Sequence, residues 1–233
     1  MMDLASAYGG RVRGERADNL ERAIAGYGRA LEVFTQEASP REWAMTQMEL
    51  VVVYGQRIRG VAAENIEHAI DHSEQALKVF TREASPQNWA MIQGNLANAY
   101  LERVRGERAD NLEQGIAGYE RVLEVYTRET SPLLWARAQM NLAIAYAQRV
   151  RGDYADNIER TIGYCQQVLE VLTRAAAPWD WARAQGNLAN AYLERVRGER
   201  ADNLERAIAG YERILEVFTR ETSPWDWASL DYS

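Results

Sequence analysis

Two histidines, one cysteine and a row of amides and guanidinium groups are where chemistry would rest in this chain. His68 and His72 stand four residues apart, with Glu64 and Asp71 close by. On a helix that spacing puts two imidazoles on one side, as a zinc site needs. Stretches equivalent to this one carry Arg22, Gln114, Arg160 and Arg206 in place of His68. Such a set marks a solvent-facing slot, and no metal site is assigned. Cys165 could act as a nucleophile only with a histidine brought close. Its equivalents are Tyr27, Ser73, Tyr119 and Tyr211, which read as a core position. No catalytic residue is assigned, and the expectation is a non-enzymatic protein without a cofactor.

Arginine is the next candidate. The phrase RVRGERADNLE stands at 11–21 and returns unchanged at 103–113 and 195–205, with looser copies at 57–67 and 149–159. Stacked copies would align the guanidinium groups along one edge, where phosphate could bind. Glu15, Asp18 and Glu21 stand beside Arg11, Arg13 and Arg16, so local ion pairing is the favoured reading. Trp43, Trp89, Trp135, Trp181 and Trp227 form a further set. They are expected to pack on the preceding helix, beside Phe34, Phe80, Tyr126, Leu172 and Phe218, while Trp179 and Trp225 stand partly exposed.

The elements that position these residues repeat every 46 residues. Gly14, Gly60, Gly106, Gly152 and Gly198 keep this period, and so do all five prolines, from Pro40 to Pro224. Residues 93–132 and 185–224 differ at only four places, so the near-exact unit is a pair of repeats, 92 residues long. Each repeat reads as two helices. Helix A opens at Ser-Pro, with a serine such as Ser85 as N-cap and the proline first in the helix. Trp89, Gln93, Leu96, Tyr100 and Val104 then share one face. Gly106 reads as a left-handed residue that stops the helix. Helix B opens at Asp110 and Asn111, where Asp110 and Glu113 form a capping-box pattern. Odd repeats carry Gly-Tyr in helix B (Gly118-Tyr119) and even ones a large-small pair (His72-Ser73, Tyr164-Cys165), a volume swap in the packing. The predicted helices A are 2–13 (partial), 40–59, 86–105, 132–151, 178–197 and 224–232 (partial). The predicted helices B are 19–37, 65–83, 111–129, 157–175 and 203–221. The expectation is a single all-α solenoid over 1–233.

The helix pairs resemble the tetratricopeptide repeat. Leu96, Ala99 and Tyr100 match the family's pattern in the first helix, and Ile116, Tyr119 and Leu123 match its second. Ala23, Ala69 and Ala207 occupy its small-residue position, which Gly115 and Thr161 fill in the other repeats. The likeness spans nearly the whole chain, although this unit is about 12 residues longer. Gln93 also stands where the family has tryptophan. The long repeats resemble arrays in bacterial proteins that accompany a CHAT protease domain or a signalling ATPase domain, and no such domain is present in this sequence. The resemblance implies a right-handed α-solenoid of antiparallel pairs whose helix A lines a concave groove. It implies a scaffold that binds a peptide or protein segment there. Asn95, Asn98, Asn141, Asn187 and Asn190 take the matching positions, with Arg137 and Arg183 earlier on their helices. Such amides can clamp a peptide backbone and such arginines a carboxylate. A solvated or helix-capping role for the amides is an equally open reading. Glu49 and Val52 break the row, as does Ile144.

Composition bounds the rest. A net charge of −7 argues against nucleic acid as partner. One cysteine allows no internal disulfide. No signal-peptide pattern opens the sequence, and no apolar run approaches the roughly 20 residues of a membrane helix. The expectation is a cytoplasmic protein with no membrane partner. The chain opens inside a helix A and closes in the start of another, without polar capping helices. That leaves two alternative functions: self-association through the terminal repeats, or a detached regulatory array of a CHAT protease or ATPase system.

Overall fold

A computed structural model describes residues 2–217. These form ten α-helices and no strand. The first helices of the pairs are α1 (Met2–Gly9), α3 (Pro40–Gly55), α5 (Pro86–Glu102), α7 (Pro132–Ala147) and α9 (Pro178–Glu194). The second helices are α2 (Arg16–Leu31), α4 (Ala62–Leu77), α6 (Arg108–Leu123), α8 (Tyr154–Leu169) and α10 (Arg200–Leu215). The expected terminal helix 224–232, with Trp225 and Trp227, lies outside the described residues. By its internal packing the chain divides into two compact units, one ending at Val125 and the other beginning at Tyr126.

α3, α5, α7 and α9 open at proline, whose missing N–H is no loss in a first turn. Ser39, Ser85 and Ser131 sit at the N-cap, but their hydroxyls make no cap bond. The connection is held one step earlier. Thr35, Thr81, Thr127 and Thr173 accept at Oγ1 from the backbone N–H three residues on. The second helices end at Leu31, Leu77, Leu123, Leu169 and Leu215, six residues before the expected ends, in i→i−3 bonds such as Val33 N–H to the Ala30 carbonyl at 3.1 Å.

The second helices begin three residues earlier than the capping box implied. Their N-caps are Glu15, Val61, Glu107, Asp153 and Glu199, and Asp153 alone among them accepts a cap bond from its own side chain. The first helices end three to four residues short of the expected bounds. Gly14, Gly60, Gly106, Gly152 and Gly198 do take positive φ, from 77° to 83°, but in the connecting loop rather than at the helix stop. The loop is pinned from the second helix. Asn19, Asn65, Asn111, Asn157 and Asn203 are buried, and each donates from Nδ2 to the carbonyl six residues earlier at 2.8–3.1 Å. Burial without those bonds would be costly.

The two helices of a pair meet at small residues. A Cβ on Gly118 would lie 2.7 Å from Ala97 Cβ, and one on Gly26 would lie 2.8 Å from Ala5 Cβ. In even pairs the small partner moves one place on, to fully buried Ser73 and Cys165. The large partner turns onto the first helix instead: His72 stacks near Tyr54 and Tyr164 tilts against Tyr146. Trp43 packs against the cluster that holds Ala76 of α4 and Phe80, and Trp135 against the one that holds Val168 of α8 and Leu172, so both meet the second helix that follows them.

Candidate functional site

The loop edge is built from contacts between consecutive repeats. Arg57 forms a two-point pair with Glu21, at 2.8 and 2.9 Å. Arg103 does the same with Glu67 and Arg195 with Glu159. The second arginine of the phrase follows suit: Arg59 meets Asp18 and Arg197 meets Asp156, both at 2.6 Å. Ion pairing was expected, but with neighbours in the same phrase; the carboxylates belong to the preceding repeat. Arg57 and Arg103 hold the Glu21 and Glu67 carboxyls below the usual glutamate range, and their own pKa values rise in return. Each leading arginine also lies over the last tyrosine of its own first helix, as Arg103 does over Tyr100 at 5.7 Å. On the second helix, Arg22, Arg160 and Arg206 lie over Tyr8, Tyr146 and Tyr192. His68 takes their place by stacking on Tyr54 at 4.6 Å. These arginines are engaged inside the protein.

A second row of pairs links consecutive repeats at the other end, and sequence inspection missed it. Arg82 meets Glu124 and Arg128 meets Glu170, at 2.5 and 2.6 Å, and Arg174 meets Glu216. Partners 42 residues apart are invisible until helices stack.

The first helices share one face of each unit. α1 touches α3 and α3 touches α5 in the first unit, and α7 touches α9 in the second. The groove candidates fall on this face in two separate clefts. In the second unit, Arg137 and Asn141 on α7 and Arg183 on α9 line one cleft of about 230 Å³, floored by Ala136, Met140 and Leu172. Asp180 lies 3.8 Å from Arg183 and partly balances it. Arg137 is exposed and has no ion-pair partner among the described residues. Asn187 is drawn out of the row and donates to Met140 Sδ at 3.3 Å.

In the first unit, Asn95 and Asn98 line a cleft of about 460 Å³ between α3, α4 and α5. Asn98 accepts from the Tyr119 hydroxyl, and Asn190 accepts in the same way from Tyr211. Tyr27 instead reaches Glu49 Oε2 at 3.1 Å. These two amides are therefore bonded within their own helix pairs, which is neither of the roles expected from the sequence. That bonding also accounts for two of the three breaks in the row, Val52 and Ile144. Where the second helix has Ser73 or Cys165 in place of tyrosine, the first helix has Val52 or Ile144 in place of asparagine.

Cys165 is fully buried, and burial pushes its thiol up to about 12. Burial thus favours the protonated thiol, which is the less nucleophilic form. His72 is half-buried and donates from Nδ1 to Gln47 Oε1 at 2.6 Å, and burial lowers its pKa. No cluster of three or more metal-binding side chains occurs among the described residues. No described helix is long and apolar enough to cross a membrane. No protein-family model matches the chain and no curated protein matches it, so the likeness to the tetratricopeptide repeat stands on the residues and helix pairs alone.

Proposed function

We propose that this chain is a non-enzymatic interaction scaffold of the tetratricopeptide type. On this reading the helix pairs belong to a right-handed solenoid in the cytoplasm. A partner polypeptide lies along the first-helix face. The observation that supports it is the cleft between α7 and α9, where Arg137, Asn141 and Arg183 converge over an apolar floor. An arginine without a carboxylate partner, an amide and apolar walls suit an extended segment bearing a carboxylate. The guanidinium groups fix the acid, and the amide can give and take a backbone hydrogen bond.

The test is a displayed random-peptide library selected on the intact chain, with the recovered peptides titrated by calorimetry. Acidic residues should be enriched, and Arg137→Ala should weaken the recovered peptides by roughly tenfold, the cost of one charge-assisted bond. Affinity unchanged in both Arg137→Ala and Arg183→Ala would overturn the assignment.

A further inference from the structure

The larger cleft, between α3, α4 and α5, is lined at one end by two small residues. Gly55 shares its slot with Gly9 and Ala147, where Leu101 and Leu193 stand in the remaining first helices, and a Cβ placed on it meets nothing within 4 Å. Ala62 stands where other second helices open with Arg16, Arg108 and Arg200. Both line the cleft.

What the arginines do in the other pairs shows what this one lacks. Arg16 donates to the Gly9 carbonyl, Arg108 to the Leu101 carbonyl and Arg200 to the Leu193 carbonyl, the last at 2.5 Å. Each covers the carbonyl end of its own first helix, where the backbone dipoles leave partial negative charge. Arg16 also reaches forward to Gln56 Oε1. Tyr154, in the same slot of a later pair, reaches forward to Glu194 Oε2 at 3.2 Å. The corresponding acceptors around Ala62 are the Gly55 carbonyl and the Glu102 carboxylate. Among the described residues neither receives a side-chain donor, and Glu102 offers a carboxyl group where Arg16 finds an amide. The one guanidinium lining the cleft, Arg57, is held in its two-point pair with Glu21 and does not answer Glu102.

We propose that this cleft binds an arginine side chain presented by a partner polypeptide. The incoming guanidinium takes the place of the internal arginine of the other pairs and donates to the Gly55 carbonyl and the Glu102 carboxylate. Its methylene stem lies along Val51, Val52 and Ile66, as long cationic side chains cover apolar surface. Planar guanidinium suits two acceptors at once better than ammonium does, so arginine is preferred to lysine. The proposal rests on the reading of the chain as a polypeptide-binding scaffold, but on no residue of the α7–α9 cleft.

The experiment is fluorescence anisotropy with a fluorescein-labelled Leu-Arg-Leu tripeptide amide on the intact chain. Its citrulline counterpart keeps the shape and removes the charge. Saturable binding is expected, with citrulline at least about tenfold weaker. Ala62→Arg supplies the internal arginine that Arg16 and Arg200 already provide elsewhere, so it should fold and should weaken the probe by a similar factor. Glu102→Gln should weaken it as well. Citrulline bound as tightly as arginine, unchanged affinity in Ala62→Arg, or no saturable binding would each overturn the site. If this probe fails while library peptides still lose affinity in Arg137→Ala, the arginine site falls and the scaffold reading stands.

Discussion

The loop edge and the first-helix face both carry arginine, and they use it in opposite ways. At the edge, Arg57, Arg103 and Arg195 are each held by two carboxylate oxygens, with a tyrosine ring beneath. On the face, Arg137 has no ion-pair partner among the described residues, and Arg183 has only Asp180 at 3.8 Å. The edge residues recur in every repeat, whereas the face residues do not: Met45 and Met91 occupy the slots of Arg137 and Arg183. The difference teaches that strict periodicity marks the residues that join repeats, while departures fall into two kinds: buried swaps such as Ser73 and Cys165, and exposed residues such as Arg137 with no ion-pair partner among the described residues. A solenoid is stabilised by its nearest-neighbour interfaces, so the edge should govern stability and the face binding.

The largest effect should come from the residue beneath the edge. Asn157 is buried and donates to the Arg151 carbonyl at 2.9 Å and the Arg149 carbonyl at 3.4 Å. Asn157→Ala strands both carbonyls and leaves a small void, at a cost of about 2–3 kcal/mol. Urea unfolding followed by circular dichroism would measure it. A loss below about 0.5 kcal/mol would show that the loop is not held by this amide.

The next effect separates the two sets of arginines directly. Arg103→Ala breaks a two-point pair whose side chains are only 28% and 24% exposed. It should lower stability by about 1 kcal/mol, the upper range for a surface pair, and leave library-peptide affinity unchanged. Arg137→Ala should do the reverse: stability within about 0.5 kcal/mol of the parent, as for an exposed residue, and weaker peptide binding. If both variants lower stability alike, the contrast between edge and face is broken.

Much of the edge and face is written in the sequence, and the missing part has a physical cause. The proline starts are local signals, so α3, α5 and α7 open where Ser-Pro predicts, and α9 at Pro178 although alanine precedes it. Helix ends such as Leu31 carry no glycine or proline, and were placed too late. The positive φ at Gly106 is legible because only glycine takes it easily, but its place in the loop depends on where α5 stops. Asp18 looked like a cap because the rule for caps is local; it pairs instead with Arg59, 41 residues away in sequence. In the groove row, the convergence of Arg137, Asn141 and Arg183 follows from their shared slots on consecutive first helices. The withdrawal of Asn98 and Asn190 does not, since it depends on which second helices carry tyrosine opposite. The Ala62 vacancy could have been found by asking which of the two repeats without the shared arginine also lacks a hydrogen-bonding side chain there, since Tyr154 fills the other.

The smallest effect concerns the charge at the edge rather than its geometry. Glu21 and Glu67 are held below the ordinary glutamate value of 4.5, chiefly by hydrogen bonds from Arg57 and Arg103. A carboxyl with a lowered folded-state pKa binds its proton more readily in the unfolded chain. Its stabilising contribution is therefore complete above the unfolded value and is lost as pH falls through the folded one. The window lies below about pH 4.5 and leaves neutral pH untouched. Protonation removes the charge but leaves a carbonyl oxygen that can still accept from Arg103, so each pair should lose only a few tenths of a kcal/mol, less than Arg103→Ala costs. Melting temperature followed from pH 7 to pH 3 should fall below that window, and Glu67→Gln should start lower at pH 7 and fall less steeply. Parallel curves for the two proteins would mean that the Glu67–Arg103 pair adds nothing to folding, and the edge would then be held by its buried asparagines alone.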